Sequence, residues 1–236
     1  MIECDLHIHS IRSICGFHTL FEIVSVMREK GLKAFALTDH SPVHTTPRAH
    51  FSVLVKRIPP VIDGVRVFKG IEASILNEEG DLDLPVFEGF PYEIIIAGIH
   101  DYDKFMPGPD KDRNTRAVIN AMKKYPEMKI LPHPFYKSCP FDIDAITDVA
   151  CETGTAIEIN NAYISTKKAD TEALQYLLEL ALKKGAMLCV NSDGHVFSEM
   201  GVFDHALDYM KPYGLENFNI VNRTLESTLE FLGLEK

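Results

Sequence analysis

Short apolar runs alternate with amphipathic stretches from one end of the chain to the other. The apolar runs lie near residues 2–8, 33–38, 66–72, 93–99, 128–132, 155–160 and 187–192. They have the length of strands and are rich in Ile, Val, Leu, Ala and Phe, as strands covered on both faces require. Helical spacing fills the intervals, near 47–58, 112–124, 142–153, 170–184, 200–210 and 223–233. The first helix is marked separately: Thr19 and Glu22 form a capping-box pair, Phe21, Val24 and Met27 keep one face apolar, and Gly31 supplies the stop. Seven strand–helix units in unbroken succession predict an α/β fold with parallel strands, and a barrel rather than an open sheet. Nothing marks a linker, so residues 1–236 are expected to form one domain. On the first strand, simple alternation points Ile2, Cys4, Leu6 and Ile8 toward outer helices and Asp5, His7 and His9 into the barrel.

Composition narrows the classes of function. A formal net charge of −10 argues against broad capture of nucleic acid or an acidic membrane surface. The N-terminus lacks the basic, apolar and small-residue succession of an export signal, and no apolar run approaches the ~20 residues of a membrane span, so a cytoplasmic location is expected. Five scattered cysteines without a C-x-x-C pair suit reduced thiols.

The strand ends carry the chemistry. His7 and His9, His40, Glu72, His100, His133, then Asp193 and His195, each close or follow one of the apolar runs. In a parallel barrel the C-terminal strand ends form the active-site face. Imidazole with carboxylate suits zinc, with manganese or iron(II) as alternatives. Eight candidate ligands exceed the four or so that one zinc takes, which implies two or three ions. A His-x-His on the first strand also opens the metal-dependent amidohydrolases, which bridge two ions with a carboxylated lysine. Lys69 is the one nearby lysine, and alternation turns it away from Glu72.

Asp5-Leu6-His7-Ile8-His9-Ser10, Thr38-Asp39-His40, Gly70-Ile71-Glu72, Gly98-Ile99-His100, Pro132-His133-Pro134 and Asp193-Gly194-His195 together resemble the motifs of the PHP (polymerase and histidinol phosphatase) superfamily, and within it the stand-alone, YcdX-like bacterial phosphatases. The resemblance covers nearly the whole chain and implies a distorted (β/α)7 TIM-like barrel. It implies a first metal on His7, His9, Glu72 and Asp193, a second on Glu72, His100 and His133 with Glu72 as the bridge, and a third on His40 and His195. The third site takes a further histidine in the loop after the first strand, where this chain has Cys15. A thiolate is a competent zinc ligand, and His18 stands nearby as an alternative. The implied activity is hydrolysis of a small phosphate monoester by a metal-activated hydroxide at a trinuclear site. Asp5 and Asp39 are candidates for orienting histidines, and Arg48 and Arg113 for meeting a phosphate. A small phosphorylated metabolite is the expected partner. A phosphodiesterase, an amidohydrolase and a non-catalytic metal-stabilised scaffold are the alternatives, and oligomeric state is not addressed by the sequence.

Overall fold

The structure is a computed structural model and describes residues 1–13, 15–41, 55–84, 92–101 and 105–235. The helix expected over 47–58 and the candidate Arg48 lie largely or wholly outside these residues.

The seven expected strands are present as β1 (Cys4–Ile8), β2 (Ala34–Leu37), β4 (Val65–Ser74), β5 (Ile94–Gly98), β6 (Met128–Leu131), β7 (Ala156–Asn160) and β8 (Met187–Asn191). They pair in that order, parallel throughout. Two short strands were not anticipated. β3 (Val61–Ile62) folds back antiparallel on β4 through a turn at Asp63 and Gly64, which have φ of 47° and 81°. β9 (Asn219–Ile220) adds to the far edge of β8. The curled sheet is stitched shut between β1 and β8. His9 N–H donates to Gly194 O at 3.0 Å, and Gly194 N–H to His7 O at 3.3 Å. Lower down, Asn222 Nδ2 donates to Cys4 O at 2.8 Å and to Val190 O at 2.6 Å.

Helices α1 (Leu20–Glu29), α2 (Lys111–Lys124), α3 (Ile143–Thr153), α4 (Asn161–Ser165), α5 (Thr171–Lys184), α6 (Asp204–Met210) and α7 (Leu225–Leu232) complete the described elements, with two single-turn 3₁₀ segments after α6. The capping box of α1 forms, Thr19 N–H donating to Glu22 Oε2 at 2.8 Å. Its buried stripe is Ile23, Val24 and Met27; Phe21 is exposed, and Leu20 packs toward the core in its place. α6 starts at Asp204, later than the expected 200, because residues 196–202 are spent in successive turns. No described helix is long and apolar enough to cross a membrane.

One apolar cluster takes residues from all seven main strands: Cys4, Leu6, Ala34, Ala36, Phe68, Ile94, Ile96, Ile130, Ala156 and Cys189. Only the barrel interior is shared by every strand, so these residues form its floor, closed from below by Leu229 and Leu232 of α7. Period-two continuation from that floor lifts Phe68 to Gly70 to Glu72, Ala36 to Thr38 to His40, and Ala156 to Glu158 to Asn160 up the same inner wall. β1 departs from the simple alternation. Cys4 and Leu6 face inward, whereas Ile2 and Ile8 join the outer core with the helices. The register against β2 shifts between Asp5 and Ile8, and this irregularity inverts the alternation so that His7 and His9 enter the barrel.

Candidate metal centre

Glu72, 1% exposed, stands at the middle of the barrel mouth. Its Oε1 lies 3.0 Å from His100 Nε2, 3.2 Å from His133 Nε2 and 3.3 Å from His7 Nε2. Its Oε2 faces a different pair, His40 Nδ1 at 2.8 Å and His9 Nε2 at 3.4 Å. Asp193 closes the third side, with Oδ1 3.5 Å from His7 Nε2 and 3.3 Å from His9 Nε2. His195 stacks on His9 with ring centroids 4.3 Å apart, so the eight residues singled out at the strand ends converge on one volume.

Outer partners fix which ring nitrogen points inward. His7 Nδ1–H donates to Glu158 Oε1 at 2.8 Å, and His195 Nδ1–H to its neighbour's carbonyl, Asp193 O, at 2.8 Å. His9 Nδ1 lies 3.2 Å from Ser13 Oγ, whose hydroxyl donates onward to Asp39 Oδ1 at 2.9 Å. His100 Nδ1 pairs with Ser74 Oγ at 3.0 Å. His133 is held by its backbone N–H on Glu158 Oε2, at 2.8 Å, and by a parallel stack on Tyr163 with ring centroids 4.8 Å apart. Fixing the far nitrogen in this way leaves Nε2 of His7, His9 and His195 with its lone pair toward the shared volume.

The donor set fits divalent ions. His7 Nε2 and His9 Nε2 approach to 3.1 Å, two lone pairs with no proton of their own between them once the Nδ1 atoms donate outward. Glu72 Oε2 is buried against imidazole nitrogens, His40 Nδ1 and His9 Nε2. A cation between the rings and the carboxylate satisfies both. Among the described residues, three groupings have donor atoms within 4.8 Å of one another: His7, His9 and Glu72; His40, Glu72 and His100; and His9, Cys15, His40 and His195.

Electrostatics point the same way. Burial disfavours charge on His7, but Asp193, Glu158 and Glu72 outweigh it and hold the ring well above its ordinary pKa. For His40, Glu72 and Cys15 overcome burial and raise the value to about 10. His195, beside Cys15 and Asp193, rises against its burial to about 9. Burial and the neighbouring His40 push His9 down to about 3. Despite their burial, Glu72 is held well below the carboxylate range by His7, His100 and His40, and Asp193 by His7 and His9. The carboxylates demand positive charge in this volume, which bound metal ions supply as well as protons do.

The remaining candidates separate. Cys15 joins the cluster; burial raises its thiol, but hydrogen bonding to His195 and His40 prevails and brings it down to about 7. His18 instead faces Glu22, at 3.9 Å, and the edge of Phe197. Asp39 acts on His9 through Ser13. Asp5 does not orient an imidazole: with the β1 alternation inverted, it accepts the backbone N–H groups of Gly201 at 3.0 Å, Ser192 at 3.2 Å and His7 at 3.4 Å, and so pins the seam. Arg113 lies over the Phe105 ring and donates to Met106 O at 3.0 Å, away from the lining of the site. Lys69 does not line it either.

A cavity of about 320 Å³ opens above the cluster, walled by Tyr136, Tyr163 and Lys168 among others. Glu158, Tyr163 and Lys168 were not among the ligand or substrate candidates read from the sequence. Glu158 carried a signal, a lone carboxylate in an apolar strand. Tyr163 carried none, because α4 is a five-residue helix too short for a periodic pattern, and Lys168 lies in the segment just after it.

A PHP domain model matches residues 5–193, a span containing every strand-end ligand candidate except His195. The chain belongs to the PHP family. Among PHP relatives, a protein named probable phosphatase from Syntrophotalea carbinolica is 33% identical, covering 98% of this chain and 96% of its own length. Another of that name from Thermoanaerobacter sp. (strain X514) is 36% identical over 98% of this chain and 95% of its own. The fold is similar to that of a histidinol phosphate phosphatase from Lactococcus lactis, solved with zinc, L-histidinol and phosphate. That match has a TM-score of 0.66 at 16% identity and covers 90% of this chain and 94% of the other.

Proposed function

We propose that this PHP protein is a metal-dependent phosphatase that hydrolyses a small phosphate monoester. The observation that carries the reading is Glu72, with Oε1 among three imidazoles and Oε2 facing two others, as a carboxylate shared by adjacent ions requires. The names of the curated relatives and the phosphate bound to the Lactococcus lactis enzyme support the reaction class. The ligand sets offered for three positions are His7, His9, Glu72 and Asp193; Glu72, His100 and His133; and Cys15, His40 and His195. Zinc suits these donors, and manganese or iron(II) suits the carboxylate-bearing ones.

Hydrolysis of phosphate monoesters is among the slowest uncatalysed reactions, with enzymatic accelerations up to ~10²¹. A single acid–base pair supplies only ~10²–10⁴. Divalent ions held by these residues would supply much of the difference, by lowering the pKa of bound water toward neutrality and offsetting charge on the transferring group. The chain's own part is to hold and aim. Glu158 and Asp193 O fix His7 and His195, the Asp39–Ser13 relay fixes His9, and Tyr163 fixes the plane of His133. Ser13 is committed to Asp39 and Ser74 pairs with His100, so neither is assigned as a nucleophile and no phosphoenzyme is invoked. The cavity of about 320 Å³ lies at the small end of ligand sites, which favours a metabolite over a polymer.

The test is hydrolysis of p-nitrophenyl phosphate before chelation, after it, and after return of zinc or manganese, with bis-p-nitrophenyl phosphate alongside. Monoester turnover that vanishes with the metal and returns with it supports the reading. Preference for the diester makes the protein a phosphodiesterase, and inactivity with metals bound favours the scaffold.

A further inference from the structure

The three groupings of donors differ in kind. The two deeper ones each include the Glu72 carboxylate, whereas the outer one, His9, Cys15, His40 and His195, contains three imidazoles, one sulfur and no oxygen donor. Cys15 is held there by the chain. Gly16 N–H donates to Ser13 O at 3.1 Å, and Phe17 N–H to His195 O at 3.1 Å, which ties the cysteine turn to the segment bearing His195. Gly16 itself runs so close to β1 that a Cβ would sit 2.0 Å from Ser10 O, so the turn has one close-packed course. Glu72 Oε2 meets this group only at His40 Nδ1, 2.8 Å away, and is not one of its four donors.

Softness and exposure both distinguish the outer position. Thiolate and imidazole donors favour zinc and related ions, while manganese and magnesium favour oxygen donors. The ring of His7 is fully buried, but the side chain of His195 is 27% exposed and Cys15 is half-buried on the cavity wall; His9, also buried, lies at the border of the outer and deeper groups.

Resting on the metal-centre reading above, we propose that the outer position is a carboxylate-free thiolate–imidazole site. It takes a soft divalent ion, zinc or its cobalt surrogate, rejects manganese and magnesium, and exchanges its ion before the deeper positions do. The centre then comprises two chemically different classes of metal position in one cavity.

Cobalt(II) tests this without relying on activity, because thiolate ligation adds a charge-transfer band in the near ultraviolet to the visible bands that any bound cobalt shows. Chelator-stripped full-length protein is loaded with cobalt, then titrated with chelator, and in parallel loaded with zinc or with manganese and its metal content measured. The thiolate band is expected in the wild type and is expected to fade first under chelator. Manganese is expected to fill one equivalent fewer than zinc. Cys15→Ser should lose the band and one zinc equivalent, and Cys15→His should recover the equivalent without the band. Visible cobalt bands with no thiolate band, or equal uptake of zinc and manganese, would overturn this proposal and leave the metal centre standing. Failure to take up either cobalt or zinc would overturn both.

Discussion

A carboxylate taken out of water costs several kcal/mol unless it is met by partners. Glu158, fully buried, is met by four donors: His7 Nδ1, His133 N, Asn160 Nδ2 and Asn191 Nδ2. Glu158→Gln keeps the shape but brings an NH₂ group against donors already in place. One of them must turn away, and with it the aim of His7 or His133. The expected outcome is a ~10–100-fold loss of zinc affinity in a competition titration, with the fold retained. Unchanged affinity would remove Glu158 from the supporting network. In the stripped protein the histidines answer to the carboxylates directly. His40, raised to about 10, and His195, raised to about 9, both start from 6.5. A raised imidazole stabilises the fold fully below its unfolded pKa and loses that contribution as pH climbs through the folded value. The melting temperature of metal-free protein should therefore fall between pH 6.5 and pH 10, and zinc should flatten that fall. A flat profile without metal would show that these rings carry no such charge.

At the level of elements, the site depends on departures from regular strands. The irregularity in β1 turns His7 and His9 inward, and His133 and Asp193 take φ of 34° and 54°, a region that side chains other than glycine seldom occupy. Gly194 joins the β1 and β8 rims, and a Cβ there would meet the Met200 backbone at 2.7 Å. Gly194→Ala must push Asp193 and His195 out of line; metal content is expected to drop, and the Tm with it, whereas an unchanged metal count would mean that the rim tolerates displacement. These departures also mark what the sequence could convey. The strand runs and the capped helices were legible because hydrophobic period and end signals are local. The inward turn of Asp5 was misread because the β1 irregularity arises from pairing with β2, which no local pattern reports. The convergence of the strand-end histidines followed from barrel topology, while the wall formed by Tyr163 and Lys168 depends on a short helix with no periodicity to detect.

Across the whole molecule, an interior floor from seven strands carries a polar mouth of imidazoles and carboxylates. The chain's net charge of −10 repels a phosphate dianion at long range, while ions held in the cavity would act at contact distance. Raising salt from about 0.01 M to about 0.1 M shortens the screening length from about 30 Å to about 10 Å, which removes the repulsion first. kcat/KM for p-nitrophenyl phosphate is expected to rise over that range, and a steep fall would indicate a cationic approach path instead. The most direct test of the central claim is a single preparation of Glu72→Gln measured for both zinc content and monoester turnover. The account predicts loss of at least one zinc equivalent and of more than about 100-fold in turnover, since bound ions supply several kcal/mol of transition-state stabilisation. Full zinc content with full turnover would contradict it.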